Sequence, residues 1–146
     1  MNSSLQKFLD AQEHTYDQAL AEIKAGRKSG HWMWFIFPQV AGLGQSPTAV
    51  YYAIRDYKEA IEYLQHPVLG ARLNEICEVL YSLPGTSAED IFGKTDAMKL
   101  RSCLTLFGLA DYSDDDVFTR LVDKYFNNYP DQVTISLLSR DTPNPE

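Results

Sequence analysis

The sequence is poor in the features that classify a protein most quickly. Cysteine occurs twice, as Cys77 and Cys103, without Cys-x-x-Cys spacing or a neighbouring His or Cys set, which argues against a disulfide framework and a zinc site. Two buried structural thiols are the expectation, with no disulfide needed. Long apolar runs are missing: the longest, Trp32 to Pro38, falls far short of the roughly 20 residues that span a bilayer. The N-terminal MNSSLQKFLDAQEHTYD carries acidic residues and lacks the apolar stretch of a secretory signal. Basic residues are outnumbered, 13 Lys and Arg against 20 Asp and Glu, for a net charge of −7. That balance opposes nucleic acid and anionic membrane surfaces as partners, leaving room only for a local basic patch. A cytoplasmic location is the resulting expectation. No segment alternates in the manner of a strand between hairpin signals, and no internal repeat occurs at a period of 20–50 residues.

What is present is ordinary globular composition, 45% hydrophobic and 23% charged, at a length suited to one domain with its own core. Helical spacing dominates. Leu5, Phe8, Leu9, Gln12, Tyr16, Leu20 and Ile23 recur at steps of three and four, predicting one amphipathic helix over 4–25, capped by Ser3 or Ser4 and stopped at Gly26. Ser46-Pro47 reads as a cap followed by a first turn, opening a helix to about Ile54. Asp56 caps the next, which ends at His66-Pro67; Pro67 then starts a longer helix to Leu83, the three packing as neighbours. Ser87 with Asp90 opens a short turn ending at Gly93, and Thr95 or Asp96 caps a helix closing near Gly108. Asp114, Asp115 and Asp116 lie where negative charge favours a helix start, and Asp131 caps a last helix over 133–138. The expected fold is all-α: an irregular globular bundle of seven or eight helices, several short, in a single domain over 1–146, with 139–146 a frayed tail.

Chemistry is expected around SGHWMWFIFPQVAGLGQS, residues 29–46. A helical pass over Trp32–Phe37 presents apolar side chains all round, so Trp32, Phe35 and Phe37 read as core. His31 and Gln39 bracket that run as polar groups which, if buried, must find partners at a cost of about 1–3 kcal/mol when they do not. Lys24, Arg27 and Lys28 precede His31, as a solvated basic helix end or as an anion-binding lip. After it, Gly42 and Gly44 allow unusual backbone angles or close ligand approach, and Ser46-Pro47 opens a helix. This is neither a dinucleotide fingerprint nor a phosphate loop, since no convincing strand precedes it. A second polar set, Asp96, Lys99 and Ser102, shares one face of its helix, either as a surface ion pair with a passenger serine or as a functional group. Its order matches no Ser–Lys hydrolase motif, and no Ser-His-Asp or Cys-His set is apparent. His14 and His66 read as structural.

The order FLDAQ, YDQALAEIKAGRKSGHWMWFIFPQ, GLGQS, YYAI, EAIEYLQHPVLGARL, IFG, DAMKLRSCLTLF and KYF strongly resembles a bacterial domain-of-unknown-function family, 1810, over nearly the whole chain. The resemblance implies a mostly α-helical fold and no established activity. It implies motif positions at Arg27, His31, Trp32, Trp34, Pro38, Gln39, Gly42, Gly44, Ser46, Tyr51, His66, Pro67, Asp96, Lys99 and Ser102, with Cys103 a departure. Some such proteins are labelled calpastatin, but that inhibitor is disordered and repetitive, and this chain is neither.

Two functions follow. The first is a small-molecule pocket, for an anionic or nucleotide-like ligand and open to catalysis, in which His31, Lys99 and Asp96 handle protons and charge. Arg27, Trp34, Gln39, Gly42, Gly44, Ser46, Tyr51 and Ser102 would bind the ligand. No cofactor is named by any motif. The alternative is a non-catalytic protein-binding or regulatory module using an exposed aromatic patch and the acidic surface from Asp111 to Asp116.

Overall fold

The computed structural model describes residues 3–141. Among these, a 3-10 turn at Ser3–Leu5 leads into ten α-helices, and no strand forms. They are α1 (Gln6–Glu13), α2 (Tyr16–Lys24), α3 (Met33–Ile36), α4 (Pro47–Tyr51), α5 (Tyr57–Gln65), α6 (Leu69–Ser82), α7 (Ala88–Phe92), α8 (Lys94–Ala110), α9 (Val117–Phe126) and α10 (Gln132–Asp141). The fold is all-α, with more helices than the sequence predicts. No helix among the described residues is long and apolar enough to cross a membrane.

One of the extra helices is α3, and another comes from a division. The predicted helix over 4–25 breaks at His14–Thr15, where Thr15 N–H reaches back to Gln12 O at 3.1 Å. The break leaves the apolar face in phase, because Phe8, Gln12, Tyr16, Ala19 and Ile23 are all buried. It also seats the Gln12 carboxamide inside the protein, donating to Phe35 O at 2.8 Å and the Tyr63 hydroxyl at 3.1 Å. A buried amide satisfied on both sides ties α1 to α3 and α5. Ser4 does not cap α1; its hydroxyl donates to Glu59 Oε2 at 2.6 Å. Gly26, with φ of 77°, ends α2 as expected.

Four capping residues read from sequence hold their places. Ser46, Asp56 and Ser87 accept from the backbone N–H three residues on, at 3.1, 2.9 and 3.1 Å, and Asp131 accepts from Thr134 N–H at 3.2 Å. Elsewhere the boundaries shift. Asp116 is the residue of the acidic run that caps α9, accepting from Thr119 N–H at 2.8 Å. Gly93, not Thr95 or Asp96, precedes α8, and that helix passes through Gly108 to Ala110 because its middle is buried on nearly every side. The helix after Pro67 begins at Leu69, with His66 Nδ1 accepting from Val68 and Leu69 N–H at 3.1 and 3.2 Å. The last helix runs past Leu138 to Asp141, so residues 139–141 are helical, and the rest of the tail expected over 139–146 lies outside the described residues.

The core is one cluster around α8, against which α5, α7, α9 and α10 pack. Leu100, Cys103, Leu104, Leu106 and Phe107 of α8 are fully buried there. Neighbourhood between α5 and α6 is tight, but α4 buries none of its residues and stands outside the bundle. Its segment is closed by a single parallel bridge between Val40 and Ile54. There Ala41 N–H donates to Ile54 O, and Ile54 N–H to Gln39 O, both at 2.8 Å.

Candidate functional site

The segment 29–46 resolves into a buried middle and two different ends. Trp32, Met33, Ile36, Phe37 and Val40 are buried, so the short α3 and the residues on either side of it enter the core, while Trp34 of α3 stays half-buried. Phe35 is only half-buried, its ring 5.3 Å from that of Tyr52. Before α3, the loop is held by a residue that sequence reasoning did not select. Glu22 Oε1 accepts from the backbone N–H groups of Ser29 and Gly30 at 2.8 and 2.9 Å and from Trp32 Nε1 at 2.9 Å. Its other oxygen accepts from Gln18 at 2.8 Å. Desolvation pushes the carboxyl up, but the donors from Gly30, Ser29, Gln18 and Trp32 outweigh it and hold the pKa at about 2.

Lys28 is absorbed by the same architecture. Its ammonium lies 2.8 Å from Asp96 Oδ2, donates to Gly30 O at 2.6 Å and stands 5.0 Å from the Trp32 ring centroid. With its side chain 8% exposed, it is a buried strut between the loop and α8 rather than part of an anion-binding lip. Asp96 turns its other oxygen to Lys99 at 3.6 Å, and Lys99 in turn lies over Trp34, 5.1 Å from the ring centroid.

That chain of contacts ends at a cavity of about 510 Å³. Trp34 contributes from α3 and Gln39, Val40, Leu43 and Gly44 from the loop, with Ala49, Tyr52 and Ala53 from the bridged segment. The opposite wall is α8, where Thr95, Met98, Lys99 and Ser102 fall at steps of three, one and three and so share a face, flanked by Lys94 and Arg101. Asp131 and Val133 close it. Charge inside is inverted relative to the whole chain: Lys94, Lys99 and Arg101 meet one carboxylate, Asp131, in a protein of net charge −7. Arg101 is spent on backbone carbonyls, Nε to Tyr129 O at 2.7 Å and a terminal nitrogen to Pro130 O at 2.9 Å, which leaves its charge without a carboxylate. Burial, then Tyr51 and Asp10, push the Tyr52 phenol up, keeping it a neutral donor and acceptor. Among the described residues, no three His, Cys, Asp or Glu side chains converge as metal ligands.

The family described as "Protein of unknown function (DUF1810)" matches residues 2–138. The chain belongs to that family. It is also similar to the crystal structure of the conserved hypothetical protein Rv1873 from Mycobacterium tuberculosis, with 45% identity and a TM-score of 0.90 over 92% of this chain and 96% of that one. Comparison with curated proteins gives no match. The resemblance read from sequence is thus correct, and so is the helical fold it implied for this DUF1810 protein.

Of the residues expected at a site in this DUF1810 chain, Trp34, Gln39, Gly44, Lys99 and Ser102 line the cavity together, with Asp96 one contact behind Lys99. The others lie elsewhere. His31 and Arg27 are exposed and outside the lining, so the cost that made His31 a suspect, burial of an unpaired polar group, does not arise. Gly42, with φ of 103°, faces α10, where an added Cβ would stand 3.1 Å from Leu137 Cδ2, so its conformation serves packing rather than ligand approach. Ser46 caps α4, and Tyr51 is 57% exposed beside it. Ser102 and Lys99 do not form a nucleophile and base, because Ser102 Oγ donates to Asp131 Oδ2 at 2.9 Å. Sequence reasoning missed Lys94, Met98, Arg101, Tyr52 and Asp131. The first three carried a signal, following one another along α8 at steps of four and three beside Lys99; Asp131 carried none, being brought in from 29 residues along the chain.

Proposed function

We propose that this protein binds a small anionic molecule bearing a flat ring in the cavity between the Gln39–Gly44 loop and α8. The observation that carries the reading is the charge inversion: three cationic side chains against one carboxylate, on a chain that is otherwise acidic. A cluster of cations in a partly desolvated recess attracts an anion by more than the same charges do in water. The half-buried Trp34 indole supplies a stacking face, and Leu43, Met98 and Val133 supply apolar walls, the mixture usual in ligand pockets. Lys99 is the residue that joins the two halves, touching both the ring and the acid behind it. The site favours binding over nucleophilic chemistry, since Asp96 and Ser102 are both engaged by neighbours. The acidic surface of the alternative reading is largely spent on local structure. Asp111 accepts from Ser113, Asp115 pairs with Arg120 at 3.4 Å, and Asp116 caps α9.

The test is titration with 1-naphthyl phosphate and with uncharged 1-naphthol, read by thermal melting. At 100 times its dissociation constant, the phosphate should add about 2.7 kcal/mol of stability. Lys99→Ala should weaken it about tenfold, while His31→Ala leaves it unchanged. Equal stabilisation by naphthol, or undiminished binding by the Lys94→Ala, Lys99→Ala double variant, would overturn the proposal.

A further inference from the structure

We infer that the ligand is an adenine ribonucleoside monophosphate, its base on Trp34, its ribose hydroxyls on Asp131 and its phosphate on Lys94 and Lys99. This rests on the reading of the cavity as an anion site and adds to it the groups that the lysines do not explain.

Asp131 is the first of these. A carboxylate is an odd component of an anion pocket, since it repels what the cations attract. Its Oδ2 is saturated, accepting from Ser102 Oγ at 2.9 Å, Thr134 Oγ1 at 2.5 Å and Thr134 N–H at 3.2 Å. Asp131 N–H is tied as well, donating to Thr105 Oγ1 at 2.8 Å. The carboxylate is therefore immobilised, and its Oδ1 makes no hydrogen bond among the described residues while the residue lines the cavity. A rigid carboxylate with one open oxygen is a donor-seeking group, and a sugar diol is the donor that such carboxylates take in nucleotide sites.

Gln39 is the second. Its backbone is fixed by Ile54 N–H at 2.8 Å, yet its half-buried carboxamide makes no hydrogen bond among the described residues. A side-chain amide presents a donor and an acceptor side by side, the complement of the amino and ring nitrogen edge of adenine. Trp34, five positions earlier on the same wall, offers the ring on which a base stacks. That ring face is now covered by the Lys99 ammonium, which acts as a placeholder. A stacked base displaces it, and the released ammonium meets the phosphate together with Lys94. The spacing is suitable: Lys99 stands about 4.5 Å along α8 before Ser102, beside Asp131, which suits a phosphate carried on the same ribose as the diol, and Lys94 lies further along on the phosphate side.

The experiment is calorimetric titration of the full chain with AMP, 2′,3′-dideoxy-AMP, IMP and 1-naphthyl phosphate. Wild type should bind AMP at least about tenfold more tightly than the dideoxy compound, as expected of hydrogen bonds to a charged acceptor. Asp131→Asn should bring the two within about threefold without weakening 1-naphthyl phosphate, and Gln39→Ala should erase the preference for AMP over IMP. The Gln39 variant keeps the test open if Asp131→Asn fails to fold. Equal affinity of wild type for AMP and its dideoxy form overturns the ribose assignment, and equal affinity for AMP and IMP overturns the adenine assignment. Binding of 1-naphthyl phosphate without AMP overturns the nucleotide inference while the anion site stands. If neither binds, both readings fall.

Discussion

Replacing Glu22 by alanine should unfasten the loop that leads into α3. The carboxylate takes four hydrogen bonds, from Ser29 N–H, Gly30 N–H, Trp32 Nε1 and Gln18 Nε2, all between 2.8 and 2.9 Å. Their loss is unequal. Ser29 is exposed and Gly30 half-buried, so water replaces the carboxylate there and each costs little. Trp32 is 1% exposed, and its indole N–H would be stranded at about 1–3 kcal/mol. With the backbone losses, the sum is about 2–4 kcal/mol, a large share of the roughly 5–15 kcal/mol that stabilises a domain. Urea unfolding should show it directly, and melting should fall by roughly 5–15 °C. Glu22→Gln, which keeps an acceptor but not the charge, should lose about half as much. The pH dependence follows from the sign of the shift. The folded pKa is depressed, from 4.5 to about 2, so the charge contributes fully above 4.5 and its contribution is lost as pH falls through about 2. The gap between wild type and Glu22→Gln should therefore narrow steadily over that window. A loss below about 0.5 kcal/mol for Glu22→Ala, or a gap unchanged at low pH, would refute the assignment of Glu22 as the loop's anchor.

Two further outcomes are expected. Gly70→Ala should be severe, because the new Cβ would stand 2.0 Å from Leu64 O and 2.8 Å from Leu64 C, backbone atoms that cannot rotate away. A loss of at least about 3 kcal/mol is expected in denaturant, and melting within about 2 °C of wild type would contradict the closeness of α5 and α6. Cys77 and Cys103 are fully buried, and burial pushes both thiols up, helped by Glu78 for the first and by Cys77 for the second. Neither should react with a thiol reagent at pH 8 in the native protein, and both should react in guanidinium; ready native labelling would contradict the core placement.

How much of this could be read from sequence depends on the range of the interaction that decides it. Ser46, Asp56, Ser87 and Asp131 were legible as caps because a cap is a contact over three residues. The break at His14–Thr15 was not, because Gln12 and Tyr16 keep the same face and the periodicity runs through it undisturbed. For the site, function was expected at His31, at Gln39 through Ser46 and on the Asp96–Lys99–Ser102 face, and of the residues named for it Trp34, Gln39, Gly44, Lys99 and Ser102 line one cavity. His31 was singled out because a polar group buried beside tryptophans needs a partner; it is exposed, and the group of that loop held by a long-range partner is the Trp32 indole, on Glu22. Lys28 misled in the opposite direction, since a lysine after a helix end looks solvated, yet Asp96 draws it inside from 68 positions away. Asp131 was legible as a cap but not as part of the cavity, for the same reason.

The bridge between Val40 and Ile54 has a bearing on how such a pocket changes over time. Two buried residues and two hydrogen bonds close the segment between them, while α4 within it contributes nothing to the core. Stability and specificity are thereby partly separated along the chain: α4 reaches the cavity wall through Ala49 without burying a residue, while Leu43 and Tyr52 on either side of it pack against the core. A lineage carrying this fold can retune what it recognises by drifting in that one segment, and a designer can graft a different wall between the same two residues.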